Sequence, residues 1–422
     1  MLQIMQKLKN LGSGFLKNKI LIENFSFLSI LQAANLVLFL ITVPYLFRIL
    51  GRNYYGLVVF AQAIVYYFSI LVNFGFNLTA TRDISINRDN NLKVSEIVSS
   101  VLVIKFSFFI ISLLFMYFLT VFIDSFRNYR ILYILSMTAC LSEAVFPLWY
   151  FQGLEKMKYI TFINVSTRLL STALVFVFIR ESSDYFRYPL ILGAGTLSGA
   201  IIALFIVFRK HSVRFSFSPL SMLKSYLSDN VLYFLSNVST QVYSNANRII
   251  VGTFLGMSQV AYYDVAEKII NVIKVPFSVL SQAFFPKFAK DRNISFLKKM
   301  MYGTILFTIV IIIAVCIFSF PIISFFTGSA NIVSVNILRI LSLSLLPISI
   351  SIFYGDIIMI NFGIKNEYAK MRFFGLITYL TLVASLIVLK YIGVYQLGVI
   401  VIAVELFISF YSYFICRRAL LI

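Results

Sequence analysis

Residues 237–287 read NVSTQVYSNANRIIVGTFLGMSQVAYYDVAEKIINVIKVPFSVLSQAFFPK, and the architecture of the whole chain can be worked out from this stretch. It is apolar enough to cross a membrane twice, yet polar side chains recur in each crossing at steps of three and four residues. They are Asn237, Gln241, Ser244, Asn245 and Arg248 in the first crossing, and Asp264, Glu267, Asn271, Lys274, Ser278 and Gln282 in the second. This spacing places each set on one face of a helix. Because a charged face is costly in lipid, we expect both stripes to face another helix or water.

The composition extends this prediction to the whole chain. Hydrophobic residues make up 60% and charged residues 12% of the sequence, whereas a soluble domain carries about 25% charged residues. Apolar segments of roughly 20 residues recur throughout, which is the length that a transmembrane helix needs. Lysines precede a long first span without a small-residue cleavage site, so no cleavable signal is expected. The predicted spans, twelve in all, are 24–48, 54–79, 95–122, 130–153, 159–179, 189–208, 226–254, 260–286, 298–324, 335–361, 369–390 and 394–416.

The net charge of +20 is explained by membrane topology and not by a nucleic-acid partner. If the N-terminus is cytoplasmic, 23 of the 36 Lys and Arg residues fall in inside segments and 7 in outside segments. Positive residues are enriched in cytoplasmic loops. The distribution therefore predicts that both termini are cytoplasmic, and it supports an even number of spans.

The sequence predicts neither a metal site nor direct nucleotide use. The cysteines, Cys140, Cys316 and Cys416, have no ligand spacing, and His211 is the sole histidine. No G-x-x-x-x-G-K-[ST] motif is present. We therefore expect no cofactor, no metal and no catalytic residue.

An internal repeat divides the chain. Leu50-Gly51 and the motifs after it recur at Leu255-Gly256, a shift of 205 residues. The same shift relates two polar stripes, Gln62, Tyr66, Ser69, Asn73 and Asn77 on the one hand and Glu267, Asn271, Lys274, Ser278 and Gln282 on the other. Parallel halves of this kind are a transporter architecture. The predicted fold is an all-α polytopic membrane protein of about 12 transmembrane helices, in two parallel six-helix halves around a central cavity. The halves are residues 1–208 and 225–422, and a cytoplasmic linker, residues 209–224, joins them.

Charged residues deep within spans point to a polar interior. Each costs roughly 2.5–3.5 kcal/mol at a helix centre unless it is compensated, either by pairing with another charge or by a wet cationic cavity. The second explanation suits a phosphate or diphosphate head group. Its candidate pathway residues are Arg248, Lys274, Lys105, Arg168, Gln241, Asn271, Gln62 and Asn73. The candidates for binding a coupling ion are Glu267, Glu143, Asp356 and Glu405. Three charges near the outer ends of spans are expected to be interfacial, namely Arg48, Arg339 and Asp264.

Several motifs resemble those of a known family, the polysaccharide-repeat-unit flippases. These are the O-antigen translocases of the multidrug/oligosaccharidyl-lipid/polysaccharide exporter superfamily, and the similarity covers essentially the whole chain. It is carried by Asn35, Pro44-Tyr45-Leu46, Arg48-Ile49-Leu50-Gly51, Tyr55-Gly56, Phe74-Gly75-Phe76, Thr81-Arg82-Asp83, Tyr150-Phe151-Gln152-Gly153-Leu154-Glu155, Asp264 and Glu267-Lys268. Many members have an acidic residue before the arginine of the seventh span, whereas this chain has Asn247 there.

The resemblance implies a protein of the bacterial inner membrane that moves undecaprenyl-diphosphate-linked oligosaccharide units to the periplasmic face. It implies a cationic cavity, ion-coupled alternating access and contact with membrane lipids. It also makes the polysaccharide polymerase and the chain-length regulator candidate partners.

Three other functions compete with this one. A drug/cation antiporter of the same superfamily would favour an anionic cavity, whereas the in-span cations here at least equal the carboxylates. A peptidoglycan-precursor flippase would be expected to have fourteen spans, whereas twelve are predicted here. An enzyme of the same pathway would be expected to carry a large outside loop or a clustered acidic motif, and no loop here is long enough.

Overall fold

The structure is a computed structural model that describes residues 2–291, 294–329 and 331–419. Helices account for nearly all of this part of the chain, and no strand occurs within it. The helices are α1 (Leu2–Asn73), α2 (Phe76–Asn87), α3 (Asn91–Phe122), α4 (Asp124–Arg127), α5 (Arg130–Val145), α6 (Leu148–Gly153), α7 (Met157–Phe178), α8 (Arg187–Phe205), α9 (Leu220–Leu255), α10 (Met257–Asp291), α11 (Ile294–Thr327), α12 (Ile332–Leu343), α13 (Leu345–Ser351), α14 (Lys365–Val388) and α15 (Val394–Arg418). A 3-10 turn (Ser182–Phe186) precedes α8, and π-helical turns follow α8 (Ile206–Lys210) and α13 (Ile352–Met359).

The predicted fold class is confirmed: the chain is an all-α, multi-pass membrane protein. Within the described residues, nine helical stretches are long and apolar enough to cross a membrane. The first of them, Ser26–Asn87, overlaps two of the predicted spans. The helices α9 and α10 are not among the nine. Several of their side chains lie outside the described part of the structure. Each predicted span falls on a helix or a run of helices, and the count of twelve crossings stays a prediction.

Two predicted spans are interrupted. The second span was expected to run through residues 54–79, but α1 ends at Asn73 and α2 begins at Phe76, with Gly75 at φ 83° between them. The fourth span breaks between α5 and α6, where Pro147 stands before Leu148. Proline has no backbone N–H to donate, so it ends a helix where that bond would be needed.

The internal repeat appears in the backbone. Gly51 has φ 69° inside the stretch assigned to α1, and Gly256 has φ 91° between α9 and α10. Both values lie in the region that favours glycine over residues with a Cβ atom. A membrane segment therefore ends and the next begins at equivalent glycines, 205 residues apart.

The contacts divide the chain into two compact units. The first unit comprises Met1–Thr42 and Val65–Phe234, and the second comprises Val43–Ile64 and Leu235–Ile422. Residues 43–64 thus pack with the C-terminal part of the chain. The sequence-based halves, 1–208 and 225–422, describe the order of membrane crossings, a different property that stays a prediction.

In the first unit, hydrogen bonds connect the predicted linker, residues 209–224, to α3. The backbone N–H of Arg214 donates to the hydroxyl of Ser95 and that of Ser216 to the hydroxyl of Ser99, each at 3.0 Å. The hydroxyls of Ser100 and Ser218 are 2.6 Å apart. The serines of α3 therefore hold residues 214–218 against that helix.

Candidate functional site

A buried network of charges in the second unit is centred on Asp264 of α10. Its carboxylate is fully buried and accepts a 2.7 Å hydrogen bond from the hydroxyl of Tyr55. The Nζ of Lys268 lies 2.7 Å from the same carboxylate oxygen, and the Nε of Arg248 lies 3.1 Å from the other. One hydroxyl donor and two cations, from three stretches of the chain, thus surround one carboxylate.

Arg248 joins Asp264 to a second carboxylate. Its Nη2 lies 2.8 Å from Oε2 of Glu267, so one guanidinium bridges two acidic side chains. Asp264, Glu267 and Lys268 share a face of α10 because they are three and four residues apart. Two cations and two carboxylates balance, which offsets part of the cost of removing four charges from water.

The residue before Arg248 forms a neutral extension of this network. The side-chain amide of Asn247 donates to the hydroxyl of Tyr263 at 2.7 Å and accepts from the hydroxyl of Tyr379 at 2.6 Å. Asn247 is 1% exposed, and both of its polar atoms are satisfied. An asparagine can link two hydroxyls in this way because it is both donor and acceptor.

A cavity of about 170 Å³ lies beside these groups within the second unit. Most of its polar lining comes from α10, and α15 adds the carboxylate of Glu405 beside two valines. It is lined by Asn245, Tyr263, Glu267, Ile270, Asn271, Lys274, Leu341, Ser344, Tyr379, Val401, Val404 and Glu405. The helical spacing of the second polar stripe therefore brings three of its members, Glu267, Asn271 and Lys274, to one wall.

Four predicted site residues meet in this cavity: Glu267, Asn271, Lys274 and Glu405. Glu267 is held by Arg248, as described above. Lys274 forms no ion pair within 4.0 Å with any carboxylate of the described residues. Its ammonium is therefore available to an anion or a polar ligand that enters the cavity.

The first unit contains a second cluster of predicted residues. Lys105 is fully buried, and its Nζ lies 3.7 Å from Oε1 of Glu143. The amide of Asn73 donates to the same oxygen at 2.8 Å. A predicted pathway cation and a predicted coupling carboxylate are thus partners of each other, as the pairing explanation expects.

Two other predicted charges have partners of their own, and neither lines the cavity. Arg168 is exposed, and its guanidinium donates to the side-chain oxygen of Asn35. Asp356 lies 3.0 Å from Nη2 of Arg372 and accepts a 2.9 Å hydrogen bond from Tyr368. The structure therefore separates the predicted residues into several sites.

The other predicted residues of the polar stripes either lie outside the cavity or have side chains outside the described part of the structure. Gln62 and Gln241 are half-buried and are not part of the cavity wall. The side chains of three stripe residues, Asn237, Ser244 and Gln282, lie outside the described part of the structure. The first stripe thus contributes Asn245 to the cavity wall.

The prediction for Asp264 was wrong. It was expected at the membrane interface because it stands near the end of its span, but it is the centre of the buried network. Lys268 follows Asp264 by four residues on the same helix, and this spacing could have indicated an ion pair. Nothing local to Tyr55 indicated a contact with a residue 209 positions away.

Comparisons with known proteins agree with this architecture. The sequence model of the family described as polysaccharide biosynthesis protein matches residues 21–291. A protein of Escherichia coli (strain K12) named "Putative O-antigen transporter" is 29% identical over 359 residues, which cover 83% of this chain and 86% of that protein.

Two solved structures share the fold. The lipid II flippase MurJ in its inward closed conformation superposes with a TM-score of 0.73 over 92% of this chain and 87% of its own, at 16% identity. An inward-facing multidrug resistance MATE family transporter of the MOP superfamily has a TM-score of 0.69 over 90% and 94% of the two chains, at 13% identity. At these identities the likeness is one of fold.

Proposed function

The chain belongs to the polysaccharide biosynthesis protein family, and from this membership we propose that it flips undecaprenyl-diphosphate-linked oligosaccharide units across the bacterial inner membrane. The relative in Escherichia coli is named for O-antigen transport, and the substrate would serve O-antigen or another surface polysaccharide. A charged, sugar-bearing head group needs a polar path, while its polyprenyl tail can stay in lipid.

Lys274 carries the proposal. It places an ammonium in a membrane-interior cavity with no carboxylate partner within ion-pair distance in the described residues. A lysine ammonium binds phosphate oxygens as a point charge. We therefore assign Lys274 the role of meeting the diphosphate, and Asn271 and Asn245 that of offering amide hydrogen bonds beside it.

The size of the cavity limits what can occupy it. At about 170 Å³ it is smaller than the ~300–1,000 Å³ of a typical ligand pocket. It has room for a phosphate or a few water molecules and none for an oligosaccharide. The sugars would therefore lie outside this cavity, in the path that alternating access opens.

Among the four candidate carboxylates, we assign ion coupling to Glu405. Glu267 is held by Arg248, Glu143 by Asn73 and Lys105, and Asp356 by Arg372 and Tyr368. Glu405 shares the cavity with Lys274. A phosphate that binds Lys274 would repel an ionised Glu405, so we propose that Glu405 takes up a proton or a cation as the substrate binds.

Arg248 is reassigned. As an unpaired guanidinium it would be a strong candidate for the substrate, but both of its partners are carboxylates of α10. We propose that it holds α9 and α10 together beside the cavity. Its substitution would then act on transport through the shape and stability of the second unit.

The alternative is a drug/cation antiporter of the same superfamily, and the fold does not exclude it, since a MATE transporter shares it. Family membership favours the flippase. We also propose that both termini are cytoplasmic and that the polymerase and the chain-length regulator are partners in the membrane.

Deletion of the gene and analysis of lipid-linked glycans test this function. We expect loss of long surface glycan and accumulation of the undecaprenyl-linked unit on the cytoplasmic side, with recovery when the gene is returned on a plasmid. Normal surface glycan combined with new drug sensitivity would support the antiporter instead.

A further inference from the structure

A cluster of basic side chains lies at one end of the first unit, far along the chain from the residues assigned to transport. It contains Lys156 and Lys158 at the start of α7, and Lys210 and His211 after α8. All three lysines are exposed. Two of them flank the ring of Tyr159, with Nζ of Lys210 at 5.4 Å and Nζ of Lys158 at 5.9 Å from its centre.

His211 fixes the position of one of these lysines. Its Nε2 lies 3.1 Å from Nζ of Lys156, and its Nδ1 lies 3.0 Å from the hydroxyl of Tyr150. An ammonium can only donate, so Nε2 must accept and the ring proton must be on Nδ1, which donates to Tyr150. Tyr150 is 2% exposed. The imidazole is therefore neutral and ties Lys156 to a buried residue.

The cluster lacks a compensating negative charge. Within the described part of the chain, no carboxylate is within ion-pair distance of Lys156, Lys158 or Lys210. Lys158 and Lys210 share the ring of Tyr159. Lys156 contacts His211, whose ring lies 6.0 Å from that of Tyr159, so these like charges repel each other. An anion bound between them would remove this repulsion and gain three charge-assisted contacts.

The helix below the cluster has a face suited to lipid. Phe162 is 75% exposed and Leu169 is 53% exposed. They follow Lys158 by 4 and 11 residues, spacings that keep them on the same side of α7. Basic groups thus stand directly above an exposed apolar surface, the arrangement that a phospholipid with an anionic head group requires.

We propose that Lys156, Lys158 and Lys210 form a binding site for the phosphate of an anionic phospholipid, whose acyl chains lie along Phe162 and Leu169. The site is independent of the transport function proposed above. His211 is a positioning residue for Lys156, and Tyr159 provides the aromatic floor of the site.

The full-length protein in a neutral detergent provides the test. Its thermal midpoint Tm is measured against increasing dioctanoyl phosphatidylglycerol, dioctanoyl phosphatidylcholine or inorganic phosphate. We expect phosphatidylglycerol to raise Tm at concentrations about tenfold lower than phosphatidylcholine. The double variant Lys156→Gln/Lys210→Gln should lose this difference. The matched control Lys298→Gln/Lys299→Gln, which removes two exposed lysines of α11, should keep it.

Two results would overturn the proposal. One is an equal response to both lipids, or an undiminished preference for phosphatidylglycerol in Lys156→Gln/Lys210→Gln. The other is that inorganic phosphate raises Tm as well as phosphatidylglycerol does, which would indicate a site for free anions only. Because the substituted lysines are exposed, both variants are expected to fold, and their Tm without lipid verifies this.

Discussion

The hydroxyl of Ser258 donates a hydrogen bond to the side-chain oxygen of Asn53, and these residues are 205 positions apart, the period of the internal repeat. Gly56 and Ala261, which are also equivalent, approach each other as well: a Cβ atom on Gly56 would lie 3.2 Å from the backbone nitrogen of Ala261. Equivalent residues can touch only close to the axis that relates them. Within the second unit, the segments that begin after Gly51 and Gly256 therefore meet through matching positions.

Substitution of Gly56 by alanine should destabilise the protein. A Cβ atom there would lie 1.8 Å from the carbonyl oxygen of Met257, so the backbone must move. We expect a loss of about 1–3 kcal/mol in the free energy of unfolding, measured as a lower Tm. The matched control is Gly303→Ala in α11, where the added atom meets nothing within 4 Å. Equal Tm values for the two variants would contradict the close contact between position 56 and Met257.

Removal of Arg248 should act on stability. In Arg248→Met, Glu267 loses its cation while still buried, and we expect a cost of about 3–5 kcal/mol. The double variant Arg248→Met/Glu267→Gln removes one charge of each sign and keeps the pair of Asp264 with Lys268. It should be more stable than additive effects predict, by about 0.5–3 kcal/mol.

The measurement is Tm of the purified protein, together with its abundance in membranes. Strict additivity of the two substitutions would contradict the ion pair. Normal abundance of Arg248→Met with complete loss of surface glycan would return Arg248 to the substrate path.

Substitution of Lys274 should act on transport. Lys274→Gln removes the cavity ammonium that has no described ion-pair partner, so we expect surface glycan to be strongly reduced while abundance in the membrane stays normal. Lys274→Arg keeps a cation and should restore part of the glycan. Lys298→Gln, an exposed lysine of α11, is the control. Full surface glycan in Lys274→Gln at native expression would rule out this role.

The stability of the protein should depend on pH through His211, the sole histidine. Burial lowers the pKa of His211, and the charges of Lys156 and Lys210 lower it further. The unfolded chain then takes up the proton more readily, so this contribution to stability is complete above about pH 6.5 and declines as the pH falls below it.

The difference in Tm between the wild type and His211→Gln isolates this effect. We expect the wild type to lose more Tm than the variant between pH 7.5 and 5.5. A difference that is constant across this range would mean that His211 does not titrate there.

The sequence predicts where the helices lie along the chain, but not which side chains of different helices contact each other. Apolar length predicts most of the spans and places their ends close to Gly51 and Gly256, because hydropathy is a local property. Spacing along α10 also predicted that Glu267, Asn271 and Lys274 share a wall. The partners of Arg248 and the position of Asp264 depend on how helices pack against each other, and hydropathy carries no information about that.

The grouping of residues 43–64 with the second unit has a consequence for synthesis. Tyr55 donates to Asp264, which follows it by 209 residues. At a translation rate of about 5–20 residues per second, the ribosome needs roughly 10–40 s to make the partner. Asp264 enters the membrane with Lys268 one turn away, so its charge has a counterion from the start. The native environment of Tyr55 is complete only when the second half of the chain, which contains Asp264, has been inserted.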